Sequence, residues 1–559
     1  MKKLFFVVGI FSLICFSSKA TVIKIETGTM TSEINEKIKL LLPGDTLLFE
    51  SGVFFGAFEW KDIHGKPNCP IVIKGAGPDK TTIDGGAPEP DSDLDNYAVL
   101  IRNSSWLQFE DFAIRNAWVD VFKVNESAYI SVRNCDIVGG KRVIFANGRK
   151  SHHFLVEKCR WEQDERVWTH AEDFTWTEIH HGIHRHYNGS IFQGKLIGGS
   201  FVIRDNQVKN VFNAFRLSMM GDTAGDTIAC TNGEIYRNTV INSSDNAFEP
   251  EVYSKNLHYY HNVMINGHAF LSITEVGGGP IYIYGNTALS LPDCEDGWCI
   301  YKFSNATIPL TKPLYVFNNS WQVDYNLLGR DEPHRKNDYI KHFNNACFFE
   351  KMDSVGIFNL GKLNEFDYDC SNIPFPYLLT GAGHEKNAII ADPQFVNGTY
   401  GDFRLKDTSP CRDSGKPLDF ITLGLKRETI DRGAYDHGEL VEGPIFQYAD
   451  PGTEVSHKDL PQITRYKVIG NQLRLAFSSP IDPESILASD LSLKVGEDIY
   501  SFQSIQFAEN NYILILNAKD DLPMKDICLI VKKWPIGMNG ETATSWASDI
   551  LVIDQSRKK

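Results

Sequence analysis

The sequence predicts an all-β protein: a right-handed parallel β-helix with an N-terminal capping helix, followed by a C-terminal Ig-like β-sandwich. Three observations predict this fold. A motif recurs about every 23–24 residues, short β-branched and aromatic runs alternate with Asn and Gly, and the sequence changes character near residue 443. Of the 559 residues, 42% are hydrophobic and 12% aromatic, which suffices for a large core and excludes a disordered chain. The net charge of −15 argues against a nucleic-acid partner.

Residues 1–20 have the pattern of a secretory signal peptide. Two lysines precede an apolar run from Leu4 to Phe16, and Ser18 and Ala20 occupy the positions that a signal peptidase inspects. About 13 apolar residues are too few to cross a bilayer, which takes about 20. We therefore expect a monomeric protein that is secreted, periplasmic or held at the cell surface, without a transmembrane segment.

Ten of the 11 cysteines remain after removal of this segment, and an exported chain permits disulfides. We predict a disulfide between Cys294 and Cys299, which bracket a four-residue loop. Cys135 and Cys159 occupy equivalent repeat positions, and the sequence leaves open whether they form a bond or an apolar stack of thiols.

The capping helix is predicted over residues 31–42. Ile34, Ile38 and Leu41 share one face at helical spacing. Because a solenoid must cover the core of its first coil, we expect this face to lie across the open end. Residues 43–49 and 71–75 then predict the first strands.

The repeat places an apolar residue three positions before a fixed residue and another two positions after it. The intervals between successive fixed residues are 23, 24, 47, 32, 24, 24 and 33 residues. No amphipathic helix separates the units, so tight turns must connect parallel strands. Stacked Asn side chains would form an internal ladder of hydrogen bonds. The fixed residues are Phe112, Cys135, Cys159, Asn206, Asn238, Asn262, Asn286 and Asn319.

The C-terminal part is predicted to be a separate module. Prolines after residue 442 mark a linker, and residues 473–477, 491–495 and 512–516 alternate as antiparallel strands do. We divide the exported chain into a β-helix over residues 21–442 and a β-sandwich over residues 443–559, the latter being a spacer or docking unit.

A candidate site follows from aligning three successive coils after their Asn or His residues. The alignment points Phe215, Phe248 and Phe270 inward and places Arg216, Glu249 and Leu271 in one outward column. Glu251 follows on the same strand. An exposed ion pair is worth about 0–1 kcal/mol, but two acids this close indicate a cation, a shared proton or a substrate. The insertion over residues 221–232, which contains Asp222, should overhang this surface.

A second feature is a basic, His-rich stretch within an acidic chain. Residues 141–216 contain twelve Lys and Arg, eight Asp and Glu, and seven of the 16 histidines. The stretch includes the interval of 47 residues, so it forms either an insertion or a decorated coil. A cationic, titratable surface suits an acidic polysaccharide; a metal site among the histidines and a solvated loop are the alternatives.

The layout of residues 30–440 resembles secreted parallel β-helix proteins that act on carbohydrates. The repeat carries this resemblance, together with closing segments at residues 391–396, 401–405, 409–415 and 432–435. It is similar to polysaccharide lyases of the chondroitinase B and alginate lyase type, although no specific family motif is matched. The resemblance implies cleavage of an acidic, uronate-containing polysaccharide by β-elimination, glycoside hydrolysis on the same scaffold, or glycan binding without catalysis.

For β-elimination, we expect Arg216 to neutralise the uronate carboxylate and a base to remove the proton at C5. The candidate bases are His181, His184, Lys255 and Tyr260. Glu249, Glu251 and Asp222 could instead hold Ca²⁺.

For hydrolysis, Glu249 or Glu251 would pair with Glu275 from the next coil. Because sugars pack on exposed rings, Trp168 and Trp176 are candidate subsites. Tyr236, Tyr260 and Tyr284 are expected to form an exposed outward column.

Overall fold

The fold was determined as a computed structural model. It describes residues 20–90, 96–170, 174–197, 199–217, 230–273, 276–291, 299–302, 310, 312–324, 326–328, 339–351, 363–374, 383–418, 429–441, 462–477, 481–495, 498–508, 513–523, 527–536, 544–545 and 551–554. Residues 1–19 of the predicted signal peptide, Asp222, Glu275, Cys294 and the predicted linker after residue 442 lie outside these residues. None of the described helices has the length and apolar character that crossing a bilayer requires.

The main body is a parallel β-helix with three walls of strands, as predicted. Among the described residues, wall 1 has 14 strands, and its pairing is parallel throughout. They are Val22–Ile25, Thr46–Phe49, Ile71–Lys74, Ser105–Glu110, Ala128–Arg133, His152–Glu157, Gly199–Arg204, Cys230–Tyr236, Val252–Tyr260, Val276–Gly278, Ile281–Tyr284, Leu314–Phe317, Ile340–Phe343 and Glu365–Asp367.

Wall 2 follows wall 1 in the coils and has 16 strands in the part of the chain that the structure describes. They are Gly52–Phe55, Thr81–Asp84, Ala113–Arg115, Asp136–Val138, Arg160–Glu162, Gln207–Val211, Phe215–Arg216, Thr239–Glu249, Val263–Ser272, Thr287–Leu289, Cys299–Lys302, Ser320–Val323, Asn326–Leu328, Ala346–Phe349, Cys370–Ser371 and Ile389–Ile390. Wall 3 has five, namely Phe58–Lys61, Tyr97–Arg102, Asp120–Asn125, Arg142–Asn147 and Phe192–Lys195.

The first coil is capped as predicted. Helix α1 spans Thr31–Lys37 and continues as a 3₁₀-helix over Ile38–Leu40. Ile34 and Ile38 are fully buried and Leu41 is 7% exposed, all within the main core. The amphipathic face therefore covers the apolar end of the solenoid.

The predicted Asn ladder forms between walls 1 and 2. Asn206 donates to Asn238 at 2.9 Å, and Asn238, Asn262 and Asn286 each donate to the next residue at 3.0 Å. The ladder continues beyond Asn319 to two residues that the repeat analysis did not include, Asn345 and Asp369, at 2.9 and 3.0 Å.

The residue before each ladder position bends the chain. Arg237, His261 and Asn318 have φ of 52°, 53° and 49°, in the left-handed region. This conformation costs a non-Gly residue about 1–2 kcal/mol. Each ladder amide offsets the cost, because it accepts the backbone N–H of the preceding ladder residue as well as its side-chain N–H.

Three further helical segments form one excursion. Helix α2 spans Glu165–Thr169, helix α3 spans Trp176–His180, and a 3₁₀-helix spans Arg185–Tyr187. The excursion leaves after the wall 2 strand Arg160–Glu162 and returns at the wall 3 strand Phe192–Lys195. The interval of 47 residues is thus a single coil with a helical insertion.

The chain closes through two short antiparallel hairpins, Phe395–Asn397 with Asp402–Leu405, and Tyr435–Asp436 with Glu439–Leu440. A 3₁₀-helix, Gly398–Tyr400, lies within the first.

The C-terminal region is an additional β domain. Its eight strands are ordered Thr544–Ser545, Gln462–Ile469, Gln472–Phe477, Ile513–Ala518, Asp498–Ala508, Leu491–Val495, Ile527–Val531 and Leu551–Asp554, with 3₁₀-helices at Pro483–Ser485 and Ala488–Asp490. Strand Asp498–Ala508 joins its two halves, because residues 498–501 pair on one side and residues 502–508 on the other. Its hydrophobic core is separate from that of the β-helix.

Candidate functional site

Four adjacent coils align a row of polar side chains, which we call the Arg216 row: Arg216, Glu249, Ser272 and Lys302. The register pairs Arg216 with Glu249, and Ser272 with Lys302. Phe248 pairs with Leu271, so Glu249 stands beside Ser272. The preceding residue on each strand is buried in the core, which directs the row to the opposite face.

One predicted member of the column is wrong. Ser243 pairs with Gly267, whereas Asn246 pairs with Ala269, so the first strand carries one extra residue in a β-bulge. Because side chains alternate with a period of two, the bulge turns Leu271 into the core, where it is fully buried. Ser272 takes its place in the row.

The charges of the row are largely buried. Arg216 Nε lies 3.7 Å from Glu249 Oε2, and Arg216 Nη2 lies 4.0 Å from Glu251 Oε2. The exposed fractions of these side chains are 14%, 8% and 4%. Arg216 Nη1 also donates to Asn188 at 2.5 Å. The interpretation as a solvated surface ion pair is therefore wrong.

Lys302 is one of the site residues that the sequence did not predict. Its ammonium donates to Asp245 at 2.6 Å, and its side chain is 15% exposed. Burial acts to lower the pKa of Lys302, but Asp245, Glu249 and Glu251 together raise it, so the group is charged. Lys302 is a cation at the end of a strand, which could have suggested a role in the site. The insertion before this strand, however, hides which residues of the neighbouring coil it pairs with.

Glu251 holds its proton more tightly than an ordinary glutamate. Burial and the negative charge of Glu249 raise the pKa of Glu251 well above its ordinary value. Glu249 lies within hydrogen-bonding reach of Glu251. Arg216 Nε and Glu249 Oε2 are both buried and have no hydrogen-bond partner among the described residues. The two atoms face each other at 3.7 Å, beyond hydrogen-bonding distance.

The helical insertion places aromatic and imidazole side chains beside the Arg216 row. The Trp176 ring centroid lies 5.2 Å from Lys302 Nζ, and Trp176 stacks on His180 at 4.4 Å. Burial lowers the pKa of His180 to about 4, with Lys302 and Arg216 among the nearby charges. His181 is exposed, and its Nε2 lies 2.8 Å from His180 Nδ1.

A second titratable cation borders the row. Burial and the positive charges of Arg142 and Arg216 together lower the pKa of Lys141 to about 8. Arg142 donates to Asp120 at 2.6 Å in a buried ion pair on wall 3. Lys141 was not predicted, because only the fold brings wall 3 beside Arg216.

The other predicted residues lie elsewhere. His184 stacks on Phe174 at 4.1 Å within the insertion, and Trp168 is half-buried on α2. Lys255 is half-buried on wall 1, where it pairs with Thr231. Their proposed roles stay predictions.

The tyrosines form the expected column, but the prediction that they are exposed is wrong. Tyr236, Tyr260 and Tyr284 do stack, with centroids 4.7 and 5.1 Å apart, but they are 6%, 2% and 0% exposed. We call them the tyrosine stack. Leu418, Ile430 and Val441 cover it; they belong to the last part of the β-helix chain, which we call the closing segment. Tyr260 therefore cannot act as a solvent-facing base, and burial raises its pKa further.

The expected Ca²⁺ site gains no third ligand. Among the described residues, Glu249 and Glu251 belong to no cluster of three metal-ligating groups. Arg216 and Lys302 already supply positive charge beside them. Because Asp222 lies outside the described residues, Ca²⁺ binding stays a prediction.

Cys135 and Cys159 are buried free thiols. Of the two alternatives that the sequence left open, a disulfide and a stack of thiols, the structure has the stack. Cys294 lies outside the described residues, so the predicted disulfide with Cys299 stays a prediction.

No family model and no curated protein matches the chain. Solved structures similar to it include a family 6 polysaccharide lyase from Pseudopedobacter saltans, with 14% identity, 69% of this chain and 90% of that chain covered, and a TM-score of 0.38. A mannuronic acid specific family 6 lyase from human gut microbiota has 12% identity, coverage of 64% and 88%, and a TM-score of 0.37. A pectate lyase has 11% identity, coverage of 75% and 96%, and a TM-score of 0.36. At these TM-scores we draw no conclusion from the similarity; the parallel β-helix follows from the strand pairing itself.

Proposed function

We propose that this protein is a polysaccharide lyase that cleaves a uronate-containing polysaccharide by β-elimination. One observation carries the proposal: Arg216 and Lys302, both mostly buried and charged, stand in one row with Glu249 between them. Loss of the C5 proton places negative charge on the uronate carboxylate. Cations held in a poorly solvated site stabilise that charge in the transition state.

In the proposed mechanism, Arg216 and Lys302 bind the carboxylate and accept its developing charge. The neutral amine of Lys141 removes the C5 proton, because its pKa of about 8 leaves part of it unprotonated near neutral pH. The electron pair forms the C4–C5 double bond and the C4–O bond breaks. Glu251, whose raised pKa keeps it protonated, donates the proton to the departing oxygen. Trp176 is proposed as the sugar-packing ring.

The same geometry disfavours hydrolysis by the two glutamates. Retaining and inverting glycosidases need carboxyl groups about 5–5.5 Å or about 6.5–9.5 Å apart. Glu249 and Glu251 lie within hydrogen-bonding reach of each other, which leaves no room for a glycosidic bond or a water between them. Hydrolysis with Glu275 involves a residue outside the described part.

The test is to incubate the purified protein with a panel of uronate-containing polysaccharides and neutral controls. We expect new ultraviolet absorbance from the unsaturated sugar, rising together with reducing ends, on a uronate polymer. Reducing ends without the absorbance would establish a hydrolase. Binding without either product would establish a glycan-binding protein.

A further inference from the structure

A second polar cluster lies inside the β-helix, away from the Arg216 row. It consists of His342, Asp369 and Glu385, whose ligand atoms all lie within 4.8 Å of one another. The three residues are 1%, 0% and 6% exposed. His342 belongs to the wall 1 strand Ile340–Phe343, Asp369 is the last rung of the ladder, and Glu385 follows in the next coil.

Two of these side chains are oriented by bonds to atoms on their outer sides. His342 Nε2 lies 2.6 Å from the Tyr301 hydroxyl, and Asp369 Oδ1 accepts from Asn345 N and Nδ2 at 2.7 and 3.0 Å. This leaves His342 Nδ1 and Asp369 Oδ2 facing each other at 2.5 Å. Partners of this kind are what hold metal ligands in position.

Glu385 supplies an independent indication of a ligand. Both of its carboxylate oxygens are buried, and neither makes a hydrogen bond of good geometry among the described residues, although Asp369 lies within reach. Its backbone N–H is used, since it donates to Phe366 O at 2.8 Å. A carboxylate buried without a partner is strongly unfavourable, so a group that satisfies it is expected at this position.

We propose that His342 Nδ1, Asp369 and Glu385 form a buried site for a divalent transition metal, with Zn²⁺ as the expected ion. One imidazole and two carboxylates give three of the four donors that Zn²⁺ takes, and the second carboxylate oxygen of Glu385 would give the fourth. Ca²⁺ takes six to eight oxygen ligands, which the cluster does not offer. Because His342 Nδ1 would bind the metal, Nε2 carries the proton and donates to Tyr301.

The site would be structural. It joins three successive coils. Through Tyr301 it also contacts the strand Cys299–Lys302, whose last residue belongs to the Arg216 row. Its burial excludes contact with a polysaccharide. The inference therefore does not depend on the proposed lyase activity.

The test uses the full-length protein, stripped with a chelator, and Zn²⁺ as the probe. We expect one tightly held Zn²⁺ per chain by elemental mass spectrometry, a thermal midpoint that rises with Zn²⁺ concentration, and a visible spectrum after Co²⁺ loading. Glu385→Gln keeps the shape of the side chain and should lower Zn²⁺ affinity by more than about 10–100-fold, the range found for mere supporting partners.

Glu439→Gln is the matched control, because Glu439 is exposed and belongs to neither cluster of metal-ligating groups among the described residues. It should leave Zn²⁺ binding and the thermal midpoint unchanged. The proposal is overturned if the unaltered protein binds no Zn²⁺, or if Glu385→Gln binds it as tightly. If Glu385→Gln raises the thermal midpoint while no metal binds, the cluster shares a proton instead, and the site is rejected.

Discussion

At the scale of single residues, burial decides the chemistry of the Arg216 row. A guanidinium beside a carboxylate is a weak contact in water, yet here Arg216 is 14% exposed and its Nε has no hydrogen-bond partner among the described residues. The sequence predicted Arg216, Glu249 and Glu251 as one group. It did not predict Lys302, whose register is hidden by an insertion, or Lys141, which only the fold brings beside Arg216.

We predict that Arg216→Ala lowers kcat/KM on the responsive uronate polymer by about 10²–10³-fold, the loss typical for one donor of a charge-stabilising site. Arg237→Ala is the matched control, since Arg237 forms an exposed ion pair with Asp205 at 2.7 Å. The control should retain activity. Equal activity of both variants in steady-state assays would remove Arg216 from the mechanism.

We predict that activity depends on the neutral form of Lys141. Since burial lowers its pKa to about 8, kcat/KM should fall about tenfold per pH unit below that value and level off above it. Lys141→Arg should abolish activity, whereas Lys150→Arg, at an exposed position, should keep the whole profile. If His181→Ala removes the ascending limb and Lys141→Arg does not, the base is His181.

At the scale of elements, the ladder preserves the register of the repeat, whereas the bulge changes it. Ladder residues repeat one geometry from Asn206 to Asp369, and the repeat in the sequence predicts those from Asn206 to Asn319. The bulge between Ser243 and Asn246 breaks that repetition locally and changes which side chain faces outward. The exchange of Leu271 for Ser272 follows from this single additional residue.

We predict that Asn262→Ala destabilises the protein by about 2–3 kcal/mol or more. Its amide donates to Asn286 Oδ1 and Ile235 O and accepts from Asn238, and each buried group left without a partner costs about 1–3 kcal/mol. Gln207→Ala removes an exposed amide beside the ladder and should cost little. Denaturant unfolding followed by circular dichroism compares the two, and equal midpoints would contradict the role of the ladder.

At the scale of the whole molecule, the closing segment decides which wall can meet a ligand. Leu418, Ile430 and Val441 pack on the tyrosine stack of wall 1. His261 Nε2 lies 2.7 Å from Val441 O, which fixes the end of the segment. The stack is therefore part of a core, and the Arg216 row is left as the candidate site.

We predict that a chain ending at residue 441 retains the folding and activity of the β-helix, because the C-terminal domain has its own core. A chain ending at residue 417 should lose stability and solubility. Each of the three lost side chains contributes about 1.5–3 kcal/mol when fully buried, and the tyrosine stack would be exposed. Thermal midpoints and soluble yield measure both; equal stability of the two chains would contradict the covering role.

The sequence by itself determined the β-helix, its cap and its ladder. These features repeat at short range, so the spacing of Asn and apolar residues specifies which side chains face inward. Only the tertiary structure decided that Lys302 and Lys141 join Arg216, that Ser272 replaces Leu271, and that the tyrosines are covered. Those outcomes depend on register across insertions and on contacts such as Asn318 to Gly433, which lie 115 residues apart. A local pattern does not specify a meeting between segments so distant in the chain.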